Sequence, residues 1–308
     1  MKSNGYIGLL DNDTIIIRHP KENREIKLHR VIAMRTFQIS PKSIQGITDT
    51  ETAQKHKKLM QRYLDTIQKA YDSFDGLISN AMEKNDAEKV KKLATEKIKC
   101  EYELNRYRSE FTKNDKLLDN PDSLIIPKTI EIYTIGGYVE SLDNLDPDNP
   151  VWVDHRARVF GNAKILDGSY VTENCLVYDN AEIVNSRIEN YARIHDNCRI
   201  ESSHIKDLVE IKHNAVVKNS LLENASMVFE ESQIDNCILN TGALCRGKSW
   251  VTNSIIIDTA QIQGDSRVTG CVLENRSCIL SGTHTDSNYN ENLELETRIS
   301  EGEIPRYW

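Results

Sequence analysis

AEIVNSRIENYARIHDNCRIESSHIKDLVEI, residues 181–211, carries an isoleucine at 183, 188, 194, 200, 205 and 211. The steps are five, six and six residues, and then five and six again. A helix returns an apolar face every three to four residues and a half-buried strand every two, so neither gives this spacing. Very short strands separated by regular corners do. Upstream the same lattice continues as Val153, Val159, Ile165, Val171 and Val177, every six residues. Downstream it runs through Val217, Leu222, Val228, Ile234 and Leu239 to Ile279, and the only position without a branched aliphatic is Cys245.

Two positions before each aliphatic from Val159 onward stands a small residue: Ala157, Ala163, Ser169, Cys175, Ala181, Ser186, Ala192, Cys198, Ser203 and so on, with Val209 the one departure. A large aliphatic on each side and a small residue near each corner is what a triangular coil needs, because close packing leaves little room inside a corner. Asn162, Asn174, Asn180, Asn197 and Asn214 stand just before a small residue. Asparagine tolerates left-handed backbone, so these five are expected to make the corners. Sides of six, six and five residues close a coil of 17. The fold class is therefore mixed: a parallel β-helix of 17–18-residue coils over 151–283, preceded by helices and a small β domain.

The small-x-aliphatic pattern every sixth residue resembles that of hexapeptide-repeat left-handed parallel β-helix proteins; handedness is implied by that resemblance and not by the spacing. Gly136-Gly137-Tyr138-Val139-Glu140 followed by Asn144-Leu145, and units such as Val159-Phe160-Gly161-Asn162-Ala163, are similar to a group of uncharacterised bacterial and phage-borne repeat proteins. The resemblance spans about 150 residues and speaks for fold more than for activity.

Outside the coil the texture changes. Residues 114–150 form a linker and the start of the coil, with a strand pair expected over Leu124–Ile135. Residues 49–113 carry Met60, Leu64, Ile67, Tyr71, Phe74, Ile78 and Ala81 at gaps of four and three, a heptad seam. Asn85-Asp86-Ala87-Glu88 resembles a capping box that restarts a second helix, whose looser stripe includes Val90, Ala94, Ile98, Leu104, Tyr107 and Phe111. An antiparallel helical hairpin and one unbroken helix of a multichain coiled coil both fit. Residues 1–48 alternate β-branched runs with turn signals, a small β domain too slight to stand alone and expected to dock on something. The tail, 284–308, is acidic and ends Ile304-Pro305-Arg306-Tyr307-Trp308, which suits a cap on the last coil.

A net charge of -8 argues against nucleic acid as a partner, since that affinity rests on clustered Lys and Arg. No apolar run reaches the roughly 20 residues of a membrane span. Seven cysteines without a CxxC pair fit neither a disulfide framework nor a zinc site, so free buried thiols are expected.

Many hexapeptide-repeat proteins resemble acyl-CoA transferases, which use a histidine and a loop leaving the coil. Here the lattice from Ile183 to Ile279 never breaks stride. His155, His195, His204 and His213 fall in different positions of the repeat and are expected on the surface, without a shared column for a metal. No catalytic, cofactor-binding or metal-binding residues are assigned. The outward aromatics Trp152, Phe160, Tyr170, Tyr178, Phe229 and Trp250 look scattered. On the five-residue side, the outward position reads Arg187, His204, Leu221, Ile238, Ile255, Val272. The last four make an apolar stripe, expected to meet a second copy, the helical hairpin or the tail.

The expected function is a non-catalytic structural or assembly protein, concretely a phage virion component such as a head fibre, capsid decoration or tail-associated protein. It would be assembled in the bacterial cytoplasm as a homo-oligomer, a trimer for instance. Its N-terminal domain or tail would attach it to a virion or scaffold protein. The alternatives are an acyltransferase-like enzyme and a cytoplasmic ligand-binding scaffold.

Overall fold

The computed structural model describes residues 3–39, 50–84, 86–98, 101, 104, 105, 108, 128–289, 294 and 295. They fall into two compact units, one of the N-terminal strands with the coil and one of the helical residues.

The lattice is a parallel coil with three faces. Val177 pairs with Ile194 on the first face, Ile183 with Ile200 on the second and Ile188 with Ile205 on the third, each 17 residues on. Every aliphatic position from Val153 to Ile279, Cys245 included, is at most 1% exposed. Each inward Val, Leu or Ile so buried is worth about 1.5–3 kcal/mol.

The coil is longer than 151–283. It opens with β5 (Ile135–Val139), which is parallel to Arg158–Val159, and it closes with Glu294–Leu295 against Cys278–Ile279. Val139, Leu145 and Val153 are the inward residues of the first coil, opposite Val159, Ile165 and Val171. Their spacing of six and eight residues hides them from a six-residue reading, because Asp146-Pro147-Asp148-Asn149-Pro150 adds two residues to one side.

The corners differ from expectation. Left-handed backbone falls on three columns of 17-residue period: Asp179, Asp196, His213 and Glu230; Asn185, Ser202, Asn219, Asn236 and Asn253; Glu173, Asn190, Asp207, Asn224, Thr241, Asp258 and Asn275. Asn162, Asn174, Asn180, Asn197 and Asn214 are not among them. Four of these stack their side-chain amides instead, Asn162 donating to Asn180 (2.9 Å), Asn180 to Asn197 (2.8 Å) and Asn197 to Asn214 (3.0 Å). Coil stacking brings identical side chains to the strand spacing of about 4.8 Å. An amide, both donor and acceptor, then links to its copies.

The small residues leading into the third face are Ser169, Ser186, Ser203, Ser220, Cys237, Ser254 and Cys271. Here the five-residue side turns a backbone N–H into the interior. Each serine answers the coil that follows: Ser186 N–H donates to Ser169 Oγ (3.1 Å), Ser203 N–H to Ser186 Oγ (3.0 Å), and Ser220 N–H to Ser203 Oγ (3.1 Å). Each hydroxyl spends its own proton within its coil, Ser203 Oγ on the Glu201 carbonyl (2.8 Å). Ser203→Ala leaves the Ser220 N–H buried without an acceptor and is expected to cost about 1–3 kcal/mol. Urea unfolding should show a lower midpoint with an unchanged slope, and Ser203→Cys, the substitution the column itself uses at 237 and 271, a smaller loss.

The N-terminal strands dock on this coil. β1 (Ile7–Arg18) and β2 (Glu25–Ala33) form an antiparallel hairpin, and β2 pairs antiparallel with β5, so the hairpin extends the coil's first face to 12 strands. This closes the starting edge of the first face, where unpaired backbone would otherwise template aggregation. At the hairpin's base, Ile7, Leu9, Val31 and Ala33 join the coil's core; towards its tip, Ile26 and Leu28 pack on Phe160 and Tyr178 outside it. A register shift between Leu10 and Thr14 separates the two halves. Of the predicted strand pair over Leu124–Ile135, the described part is β4 (Lys128–Ile130), which pairs with β3 (Phe37–Ile39) and not with β5.

In the helical unit, α1 spans Thr50–Glu83, with Leu64 and Ala81 buried and Tyr71, Phe74 and Ile78 half-buried on the predicted seam. A second helical segment covers 87–98. Its cap is Asp86, whose Oδ1 accepts from the Lys89 N–H (3.0 Å); Asn85, the expected cap, lies outside the described residues. Ile98, expected on the stripe, is 67% exposed. Lys97 Nζ reaches Asp75 Oδ1 (2.6 Å) and Arg108 Nη2 reaches Gln68 Oε1 (2.5 Å). Among the described residues, no helix is long and apolar enough to cross a membrane. Residues 114–122 and the aromatic end of the tail lie outside the described residues.

Candidate functional site

The turn at the hairpin's tip, His19 to Arg24, comes down on the corner between the first and second faces. Two carboxylates stand there one coil apart, Asp179 and Asp196, both at left-handed corner positions. Short polar side chains are favoured in that backbone region, and the 17-residue period stacks them into a column. Gly161 precedes them in this column and His213 and Glu230 follow.

Beside the corner runs a ladder of rings, one per coil. Phe160 stacks on Tyr178 (centroids 5.1 Å, planes 9° apart) and Tyr178 on His195 (4.8 Å, 12°). His19 meets Phe160 and Tyr178 edge-on. Phe160, Tyr178, Trp152 and Tyr170, expected as scattered outward aromatics, are thus buried. The first two are the floor for the hairpin's tip, and Trp152 lies under Phe37. Trp250 remains exposed and Phe229 half-buried.

The hydrogen bonds fix how each group at the corner is used. His19 Nδ1 accepts from the Lys21 and Glu22 backbone N–H groups (3.2 and 3.0 Å), so its ring proton is on Nε2 and is donated to Asp179 Oδ1 (3.0 Å). Lys21 Nζ bridges Asp179 Oδ2 (2.7 Å) and Asp196 Oδ1. Asp196 Oδ2 accepts from the His213 N–H (2.9 Å). His195 Nε2 faces Glu210 Oε1 at 3.4 Å, while its Nδ1, 3.2 Å from Asp196 Oδ2, makes no hydrogen bond.

Charge follows geometry. Partial burial pushes the Lys21 ammonium down, but Asp179 and Asp196 more than reverse it and hold it above its usual range. Burial pushes the Asp196 carboxyl up, and the Lys21 and His213 contacts bring it below its usual range. Burial lowers His195 against the opposing Glu210 bond, which favours the neutral ring. The turn and corner enclose a polar cleft of about 530 Å³ whose lining includes Arg24, Glu140, Asn162, Asn180 and Asn197.

His195 and His204, expected on the surface, are 5% and 8% exposed. His195 is buried at the end of the ring ladder. His204 bonds Glu189 Oε2 through Nε2 (2.6 Å). Burial pushes the Glu189 carboxyl up, but His204 and Arg187 outweigh it and hold it at about 2. His155 and His213 are exposed, as expected.

Leu221, Ile238, Ile255 and Val272 stack in one parallel ladder on the third face. They are not an open stripe: their exposures are 7, 2, 0 and 5%, and none belongs to the internal clusters. Their outward neighbours Glu223, Asn240, Ile257 and Glu274 are buried too. The column expected to meet a second copy, the helical hairpin or the tail is thus buried within the single chain. Cys175, Cys198, Cys237, Cys245 and Cys271 are buried free thiols, and burial pushes the first three up to about 12; Cys100 lies outside the described residues.

The corner cluster is hidden in the sequence because Lys21 lies 158 positions from Asp179 and 175 from Asp196. One signal is present in the sequence: at a 17-residue period, Asp179, Asp196, His213 and Glu230 form a polar column. No family model matches the chain, and comparison with curated proteins finds no match.

Proposed function

We propose that the protein is a non-catalytic structural or assembly protein, a rigid rod attached to a larger particle. The observation that supports this most is the unbroken coil: from Arg158 to Leu273 three ladders of two- and three-residue strands follow each other without an excursion among the described residues. Rigidity follows from such stacking, since every coil is held by its neighbours above and below. The buried thiols and the engagement of His195, His204 and His19 within the fold weigh against the acyltransferase reading.

In its concrete form the proposal is a virion component of a phage, resting on the resemblance of the repeat and of Gly136–Glu140 to phage-borne proteins. It includes a left-handed coil, an antiparallel hairpin made by α1 and the second helical segment, and self-association as a trimer. The test is mass spectrometry of particles banded from a lysate of the phage whose genome encodes this chain, with light scattering of the purified protein. Recovery in the particle at fixed stoichiometry is expected. Presence only in the particle-free fraction overturns the virion reading, and a strict monomer overturns the trimer.

A further inference from the structure

We propose that Asp179, His195 and Asp196 form a binding site for a divalent transition-metal cation, Zn2+ by its donor set, where the Lys21 ammonium stands in when no metal is bound. One ligand atom of each residue lies within 4.8 Å of the others. Donors on one tetrahedral Zn2+, at about 2.0–2.2 Å each, are about 3.4 Å apart. His195 Nδ1 and Asp196 Oδ2 are already at 3.2 Å. The remaining closure falls to the Asp179 carboxylate, which is close to the surface.

The independent observation is His195 itself. The residue is 5% exposed, and its Nδ1 is buried, without a hydrogen bond, and turned towards the carboxylates. With the ring proton on Nε2, towards Glu210, Nδ1 presents a lone pair beside Asp196, an arrangement a carboxylate alone does not satisfy and a cation does. The carboxylates are oriented by hydrogen bonds, as metal ligands usually are: His19 holds Asp179 Oδ1, and the His213 N–H holds Asp196 Oδ2, the oxygen nearest His195 Nδ1. The position of Lys21 between the two carboxylates shows that a cation is favourable there, and its side chain is 40% exposed to water. One imidazole nitrogen with two carboxylate oxygens suits Zn2+ better than the oxygen-seeking Mg2+ or Ca2+.

The test is calorimetric titration of the full chain, without a histidine tag, with zinc chloride. One Zn2+ per chain is expected. Lys21→Gln, which removes the competing charge, should tighten binding on the order of tenfold. Asp196→Asn should abolish the site while the circular dichroism spectrum is kept; should that variant not fold, Lys21→Gln still decides. Absence of Zn2+ binding in both wild type and Lys21→Gln overturns the proposal. So does equal affinity in wild type and Lys21→Gln, which would assign the metal to other surface groups.

Discussion

Gly137→Ala is expected to destabilise the coil by about 3 kcal/mol or more, while Gly76→Ala is expected to stabilise the helical unit by up to about 1 kcal/mol. The chemical change is one methyl group in both. A Cβ on Gly137 would lie 2.2 Å from the Asp154 carbonyl oxygen and 2.5 Å from that of Ala157, well inside contact distance and against backbone on both sides. Those carbonyls cannot step aside, because Ala157 O accepts from the Tyr138 N–H (3.0 Å) in joining β5 to the next coil. Neighbouring Gly136 is as confined, with the Val153 carbonyl oxygen 2.4 Å from where its Cβ would be. Gly76, within α1, has nothing within 4 Å of that position and gains alanine's helical preference. Thermal unfolding followed by circular dichroism separates the two, with a drop of several degrees for Gly137→Ala. If Gly137→Ala melted like wild type, β5 would not be clamped between hairpin and coil as described.

The coil was legible because its inward positions obey one rule. A triangular interior takes an aliphatic on each side and, Val209 apart, a small residue near each corner, and no surface residue can disturb that spacing. Asp146–Pro150 obscured the first coil by adding residues to a side without changing what faces inward. Corner conformation was less legible. Left-handed backbone is tolerated by several polar residues, so Asp179, Asp196, His213 and Glu230 share one column, and asparagine in the adjoining column is explained by the amide ladder. Least legible was what covers the outside. Phe160 and Tyr178 look like isolated surface aromatics until Ile26 and Leu28 lie over them, and nothing in the 17-residue rule speaks of the hairpin. The cluster of Lys21, Asp179, His195 and Asp196 is a product of that cover. It exists only where a turn near residue 20 meets two successive coils.

Deleting residues 198–214 should leave a folded protein one coil shorter, whereas deleting only 198–203 should destroy the cooperative fold. The larger deletion joins Asn197 to Ala215, the residue one coil beyond Cys198 in the ladder that pairs Ile200 with Val217. Ser186 Oγ would then receive the Ser220 N–H in place of that of Ser203, and Asp196 would meet the backbone of Glu230 in place of His213. Every face, corner and column keeps its phase, as nearest-neighbour stacking in a solenoid requires. The loss is one coil's net stability, a small remainder after the ordering entropy of 17 residues is set against three buried aliphatics. The six-residue deletion removes a third of a coil. All strands after it meet the wrong face, five-residue sides lie over six-residue sides, and the serine column is cut. The mismatch falls on the corners where the coils on either side of the junction meet, and there the Ser220 N–H loses the Ser203 hydroxyl, at about 1–3 kcal/mol. Limited proteolysis with urea unfolding distinguishes the outcomes. A single transition and a resistant core are expected for the 17-residue deletion, and cleavage near position 197 or insolubility for the shorter one. Equal tolerance of the two would mean that the 17-residue phase, and with it the stacking of Asp179 on Asp196, does not govern the fold.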